Sequence, residues 1–266
     1  MWPEHSHRPI LPVAYDRYGV PAEDPTLMTW QPKADDVGGR TAESSAVDRT
    51  GTAQDGIVWQ LVDSAFPSGG FAHSGGLEAV CRWQQLGGSD GFADFLRHSL
   101  VQTGRGSVPF LVAAHDRLDR FPEVDRQYDA FLNNHVANRA SRLQGQAFLA
   151  AAESAFGTHN VDLEWETAPA TLRRADWLTK QRQLMRADPS HLHLAVVFGA
   201  VTSLFHLPAQ QAVRMFLHTS LRDLISAAVR LNIVGGLEAQ RIQFRLSRFV
   251  EHVGACCWQI RPGEAA

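Results

Sequence analysis

Asp63, Ser64, Ser68, His73, Ser74 and Glu78 fall within sixteen residues, beside Pro67 and the pairs Gly69-Gly70 and Gly75-Gly76. A histidine among serines and carboxylates is the raw material of nucleophilic catalysis: imidazole as base, hydroxyl as nucleophile, carboxylate as orienter. On that reading the chain is a small serine hydrolase using His73 with Ser64, Ser74 or Ser89. A triad also needs a rigid scaffold that holds its members at hydrogen-bond distance, and crowding along the chain does not provide one. The same residues read as turn chemistry. Asp63 or Ser64 caps, Pro67 and Gly69-Gly70 reverse the chain, and Ser74 caps the helix containing Glu78. Glu78 falls one residue too late for a capping box with Ser74. Phe66 and Phe71 would anchor the turn in apolar surroundings.

Other chemistry is harder to find. Gly87-Gly88-Ser89-Asp90-Gly91 matches the Gly-x-Ser-x-Gly string of a nucleophile elbow. An elbow needs a strand ahead of the serine, whereas the residues before Gly87 carry a helical pattern. No Gly-x-x-x-x-Gly-Lys-Ser/Thr loop occurs, so there is no phosphate cradle of that type. His191 and His193 on a helix would point about 200° apart. The twelve histidines show no convergent ligand spacing, and adjacent Cys256 and Cys257 lack the spacing of a zinc site. The sequence therefore predicts no cofactor and no intrinsic metal site.

The elements that would position these residues are helical. Leu77–Leu86 reads as a helix ended by glycine, with Ser89 and Asp90 capping the next, which carries Phe92, Phe95, Leu96 and Leu100 on one face. Pro109 opens a helix through Leu118. Tyr128–Phe156 reads as one long helix or two abutting ones. Residues 157–170 read as loop, with at most a short strand at Val161–Trp165. Leu172–Met185, His191–Leu204, Pro208–Val234 and Leu237–Trp258 complete the series. Within Pro208–Val234, Val213, Leu217, Leu221, Leu224, Ala228 and Leu231 form a core-facing stripe, while Arg214 and Arg222 read as a solvated basic face. Ala137, Ser141 and Gly145 lie four apart and leave a small-residue groove. That groove would pack a neighbouring helix, within the domain or across a two-fold dimer.

Residues 1–55 hold 5 Lys/Arg against 9 Asp/Glu, are rich in Pro, Gly, Ser and Thr, and show no apolar period. Such a segment cannot offset the entropy of ordering itself. The expectation is an acidic, poorly ordered extension at 1–55 and one all-α domain of eight to ten helices at 56–266. A net charge of −3 and pI near 6.4 argue against a nucleic-acid binder. No apolar run reaches the ~18 residues of a membrane span. Three cysteines cannot form a disulfide framework, and Met1–His5 lacks the layout of a secretory leader, which together predict a cytoplasmic protein.

The run Trp59-Gln-Leu-Val-Asp-Ser-Ala-Phe-Pro-Ser-Gly-Gly-Phe-Ala-His-Ser-Gly-Gly-Leu-Glu78 resembles the signature of the UreF family of urease accessory proteins, in its plant-like form. Asn138-Arg139-Ala140-Ser141-Arg142, Gln144-Gly145 and Ala227-Ala228-Val229-Arg230-Leu231 are similar too. The likeness spans about residues 57–250. It implies a helical, dimeric, non-enzymatic scaffold that works with UreD (also called UreH) and the GTPase UreG to deliver nickel to apo-urease. Asp63, His73, Ser74, Glu78 and Arg230 become candidates for a UreG-facing surface, with Arg230 as its anchor. Where many relatives carry Leu-Gly-Gln and then Gly-Gln, this chain has Val234-Gly235-Gly236-Leu237-Glu238-Ala239-Gln240. It departs at the first glutamine and retains Gln240.

Overall fold

A helix that is apolar all round must be enclosed by others, and the segment around Phe198 is one. In the computed structural model, which describes residues 49–83, 86, 88–157, 168–187 and 192–265, ten α-helices form among the described residues. They are α1 (Arg49–Val62), α2 (Leu77–Arg82), α3 (Gly88–Gly106), α4 (Val108–Asp116), α5 (Phe121–Phe131), α6 (His135–Phe156), α7 (Ala168–Ala187), α8 (Leu194–Leu204), α9 (Ala209–Arg230) and α10 (Gly236–Cys257). Short 3₁₀ turns occupy Gly70–Ala72, Leu118–Arg120 and Pro262–Glu264. No strand occurs among the described residues, so the all-α expectation holds.

α8 is the central rod. Every residue from Ala195 to Thr202 is buried, and Thr202 satisfies its hydroxyl by donating to the Phe198 carbonyl at 2.8 Å. α4 crosses it so closely that a Cβ on Gly199 would lie 2.9 Å from the Leu111 carbonyl carbon. α5, α6 and α9 complete the enclosure, and α3 and α10 pack against α9 and each other. On α9 the expected stripe is real: Val213, Leu217, Leu221 and Ala228 are buried, and Leu224 and Leu231 pack partly against the core. Aromatic rings tie the layers together, with Phe148 at 5.2 Å from both Phe66 and Phe198, and Phe198 at 5.5 Å from Phe216. Such tilted pairs add about 0.5–1.5 kcal/mol each beyond burial.

Several boundaries differ from expectation. Of the two readings of Tyr128–Phe156, the pair of abutting helices holds, but the first starts earlier than expected, at Phe121; the chain leaves α5 at Leu132 and Asn134 starts α6 afresh. The Asn134 side chain accepts from the Val136 and Ala137 amides at 3.0 and 3.2 Å, as an N-cap should. α2 ends at Arg82, short of the expected Leu86. α3 already begins at Gly88, so Ser89 and Asp90 lie inside its first turn rather than ahead of it. α1 begins at Arg49, within the stretch whose composition predicts an extension. Residues 1–48, the strand expected at Val161–Trp165 and His191 lie outside the described residues.

Candidate functional site

The Leu61–Glu78 stretch is a turn clamped onto α9. α1 stops at Val62, and the Asp63 carboxylate accepts the Ala65 amide at 2.7 Å while the Asp63 carbonyl accepts that of Phe66 at 3.1 Å. This is an Asx turn following α1 rather than a helix cap, since no helix begins at Asp63. Phe66 is buried between Phe148 and Phe156, at 5.2 and 6.2 Å, and is the expected anchor. After Pro67 the chain reverses at Gly69, whose φ of 73° suits glycine. Gly70 then opens the 3₁₀ turn against α9, where a Cβ would sit 2.9 Å from the Asp223 carboxyl carbon. The next glycines, Gly75 and Gly76, have φ of 56° and 92°, and Gly75 abuts Leu224.

Two further expectations fail here. Ser74 does not cap α2 with its side chain: the N-cap is Gly76, and only the Ser74 carbonyl takes part, accepting the Leu77 amide at 3.0 Å. With the turn tightened by two left-handed glycines, Ser74 sits too far back for its hydroxyl to reach the first helical amides. Arg222 is no solvated cation either. It is 17% exposed, donates to the Val62 carbonyl that ends α1, and pairs with Asp223 at 2.9 Å. Burial pushes the Asp223 carboxyl above its ordinary value, with Arg222 opposing. Arg214 does stay exposed, paired with Glu251 at 2.9 Å.

The geometry gives no support to the hydrolase built on His73. No hydrogen bond joins His73 to Ser64 or Ser74 among the described residues, and the Ser89 side chain lies outside them. The helix α2, rather than a strand, precedes Gly88. Asp63 and Glu78 are exposed, His73 and Ser74 half-buried.

A second cluster joins α5, α6 and α8; its α6 members Asn138, Ser141 and Gly145 stood out in the sequence, whereas Asp125 and Asp129 did not. Asp125 is buried and accepts the amides of Leu192 and His193 at 2.7 and 2.9 Å. His193 lies with Nε2 at 3.1 Å from the Asp129 carboxylate and Nδ1 at 3.1 Å from the Ser141 hydroxyl. An ionised carboxylate only accepts, so Nε2 carries the proton and Ser141 donates to Nδ1. Ser141 Oγ in turn accepts the Leu194 amide at 3.3 Å. The order Ser141–His193–Asp129 is that of a triad, but His193 has no exposed side-chain surface, and every member is engaged in holding the entry to α8. Asn138 donates to Asp129 at 2.9 Å and to the Leu132 carbonyl at 3.3 Å. Gly145 lets this happen: a Cβ there would overlap the Leu192 carbonyl and lie 2.7 Å from the Leu194 nitrogen. The groove of Ala137, Ser141 and Gly145 is thus filled at Ser141 and Gly145 by its own subunit. Arg139 is exposed on the other side. The signal was present in spacing, since Ser141 and Gly145 share a face, but Asp125 and His193 lie 68 residues apart along the chain.

Burial holds the His193 imidazole below its ordinary pKa, against the opposing pull of Asp125 and Asp129, while Arg142 adds to the lowering. Below the ordinary histidine value of 6.5, the unfolded chain takes up a proton that the folded chain refuses. Folding stability therefore falls as pH drops from 7 toward the depressed value. Urea denaturation at pH 7.5 and 5.5 should show this loss, and a His193→Gln variant should show a shallower one.

With this geometry in place, the comparisons with known proteins bear directly on the motifs. A family model described as UreF matches residues 87–247. The chain belongs to the UreF family. A protein named urease accessory protein F from Arabidopsis thaliana is 32% identical over 209 residues, covering 78% of this chain and 81% of the relative. The rice protein of that name (Oryza sativa subsp. indica) is 32% identical over 197 residues, covering 73% and 70%. A UreF from Trichodesmium erythraeum is 28% identical over 208 residues, covering 74% and 80%. Within the UreF match lie Asn138–Gly145, the braced segment, and Arg230, exposed at the C-terminal end of α9. The Trp59–Glu78 run precedes it. Asp223 and Arg230 are seven residues apart on α9, about 10 Å along the axis, so the turn and Arg230 are carried by one rigid rod. Gln240 is exposed on α10. No described helix is long and apolar enough to cross a membrane.

Proposed function

We propose that this chain is a cytoplasmic, non-catalytic urease accessory scaffold. It acts as a homodimer that assembles UreD (UreH) and UreG on apo-urease, regulates the partner GTPase and supports nickel insertion into the urease active site. The UreF family membership carries the reading. The geometry supports it: Asp63, Pro67, Gly69, Gly70 and Ser141 are engaged in turns and braces, while Glu78, Arg139, Arg230 and Gln240 are left at the surface. A scaffold can bias a GTPase without doing chemistry, by binding one nucleotide state better than another. Arg230 is suited to that role because its planar fork can pair a partner carboxylate or phosphate in two places.

Co-expression of urease with UreD and UreG, with and without this chain, tests the reading. Urease activity and bound nickel should appear only when it is present; equal activation without it would defeat the proposal. In the same assay Arg230→Ala should recover far less UreG by affinity capture. The thermal melt of the variant is recorded alongside, so that a folded variant reports on capture alone. Undiminished capture would remove Arg230 from the GTPase surface.

A further inference from the structure

α10 carries a surface that the clusters above do not use. Phe244 is 81% exposed and Leu237 80% exposed, seven residues apart and so on one face of the helix. Arg241 lies three residues before Phe244 and Arg248 four after it, which puts both guanidinium groups on the same face, with Arg245 on its flank. All three arginines are exposed, and among the described residues none forms a hydrogen bond or an ion pair. Beside Phe244 runs a groove of about 510 Å³ between α1, α9 and α10, floored by Met215, Leu221 and Val250. Trp59, 72% exposed, stands on its α1 side. One wall is fixed by the Arg214–Glu251 pair.

Uncovered aromatic rings beside an apolar floor mark a surface built to be covered. The unpaired arginines say by what. We infer that the α1–α9–α10 groove, with Arg241 and Arg248 along its outer edge, docks an acidic amphipathic helix of a partner protein. The partner's apolar residues enter between Trp59 and Phe244, and its carboxylates lie across the arginines. This is the helix-in-groove mode, with the charges fixing orientation and rate of encounter. A nucleic acid would also meet arginines and aromatics, but it has nothing to place on the aliphatic floor, and the chain as a whole is negatively charged at −3. The inference rests on the scaffold reading, since a scaffold needs a surface for each protein it holds.

The test uses the full chain and a synthetic helical peptide of about 18 residues, the length that spans the exposed face of α10. The peptide carries leucine along one edge and glutamate along the next. It should bind, more weakly as salt rises. Arg241→Glu with Arg248→Glu, and separately Phe244→Ser, should each weaken it roughly tenfold or more. Both changes are at the surface, so the thermal melt should match wild type. Equal affinity for a lysine-for-glutamate peptide, tighter binding of a single-stranded oligonucleotide, or indifference to both sets of changes would overturn the inference. In cells, the Arg241/Arg248 variant should lose urease activation that wild type supports. If it activates fully, the surface assignment fails while the scaffold reading stands. If wild type itself gives no activation, the scaffold reading fails, and the peptide result still judges the groove.

Discussion

Gly145→Leu is expected to be the most damaging single change in the chain. Position 145 faces backbone, not a pliable side chain: an added Cβ overlaps the Leu192 carbonyl and comes within 2.7 Å of the His193 carbonyl carbon. Backbone there cannot retreat, because Asp125 holds the Leu192 and His193 amides and Leu192 already sits at a φ of 80°. α6 would have to move away from α8, opening the layer that contains Phe148 and Phe198. Overpacking usually costs 1–3 kcal/mol, and this site should reach about 3 or more. For a domain near 200 residues that is a fall in Tm of roughly 6–12 °C. Differential scanning calorimetry measures it directly, and a loss under 2 °C would mean that α6 and α8 are not locked together as described. The variant would not isolate a dimer contact, since it damages the subunit first.

Asp125→Ala should come next. Its two oxygens satisfy two buried amides at the entrance to α8 and stand beside His193. Removing the carboxylate leaves both N–H groups without acceptors, at about 1–3 kcal/mol each, so a loss of about 3 kcal/mol in urea titration at pH 7.5 is expected. Asp125→Asn keeps one acceptor and should lose less. Hydrogen exchange should localise the damage: the Leu192 and His193 amides should lose protection before those of α10. Uniform loss across the domain would point to global unfolding as the only route.

The Leu61–Glu78 stretch shows how far residue types reach. Asp63, Phe66, Pro67, Gly69 and Gly70 announce a turn because each acts over a few neighbours: a carboxylate reaching an amide two residues on, a ring fixing φ, a glycine accepting positive φ. Ser74 announced a cap in the same terms and was displaced, because Gly75 and Gly76 spend two residues turning under Leu224 before α2 can start. The choice between a basic face and a clamp at Arg222 was equally closed to local reasoning, since the Val62 carbonyl it meets is 160 residues earlier.

Periodicity alone determined that this chain is a stack of helices and which faces enter the core, because apolar burial acts through a repeat of 3.6 residues that the sequence displays openly. The resemblance to the UreF family came instead from motifs, the Trp59–Glu78 run above all, which can be read without any coordinates. What the tertiary structure decided is which polar groups meet. The Ser141–His193–Asp129 chain, the Asp125 clamp, the closure of the Gly145 groove by its own subunit and the bare arginine edge of α10 all depend on the mutual placement of helices distant in sequence. A hydrogen bond requires its atoms to meet within about 3 Å, and no spacing along one helix fixes a distance to another.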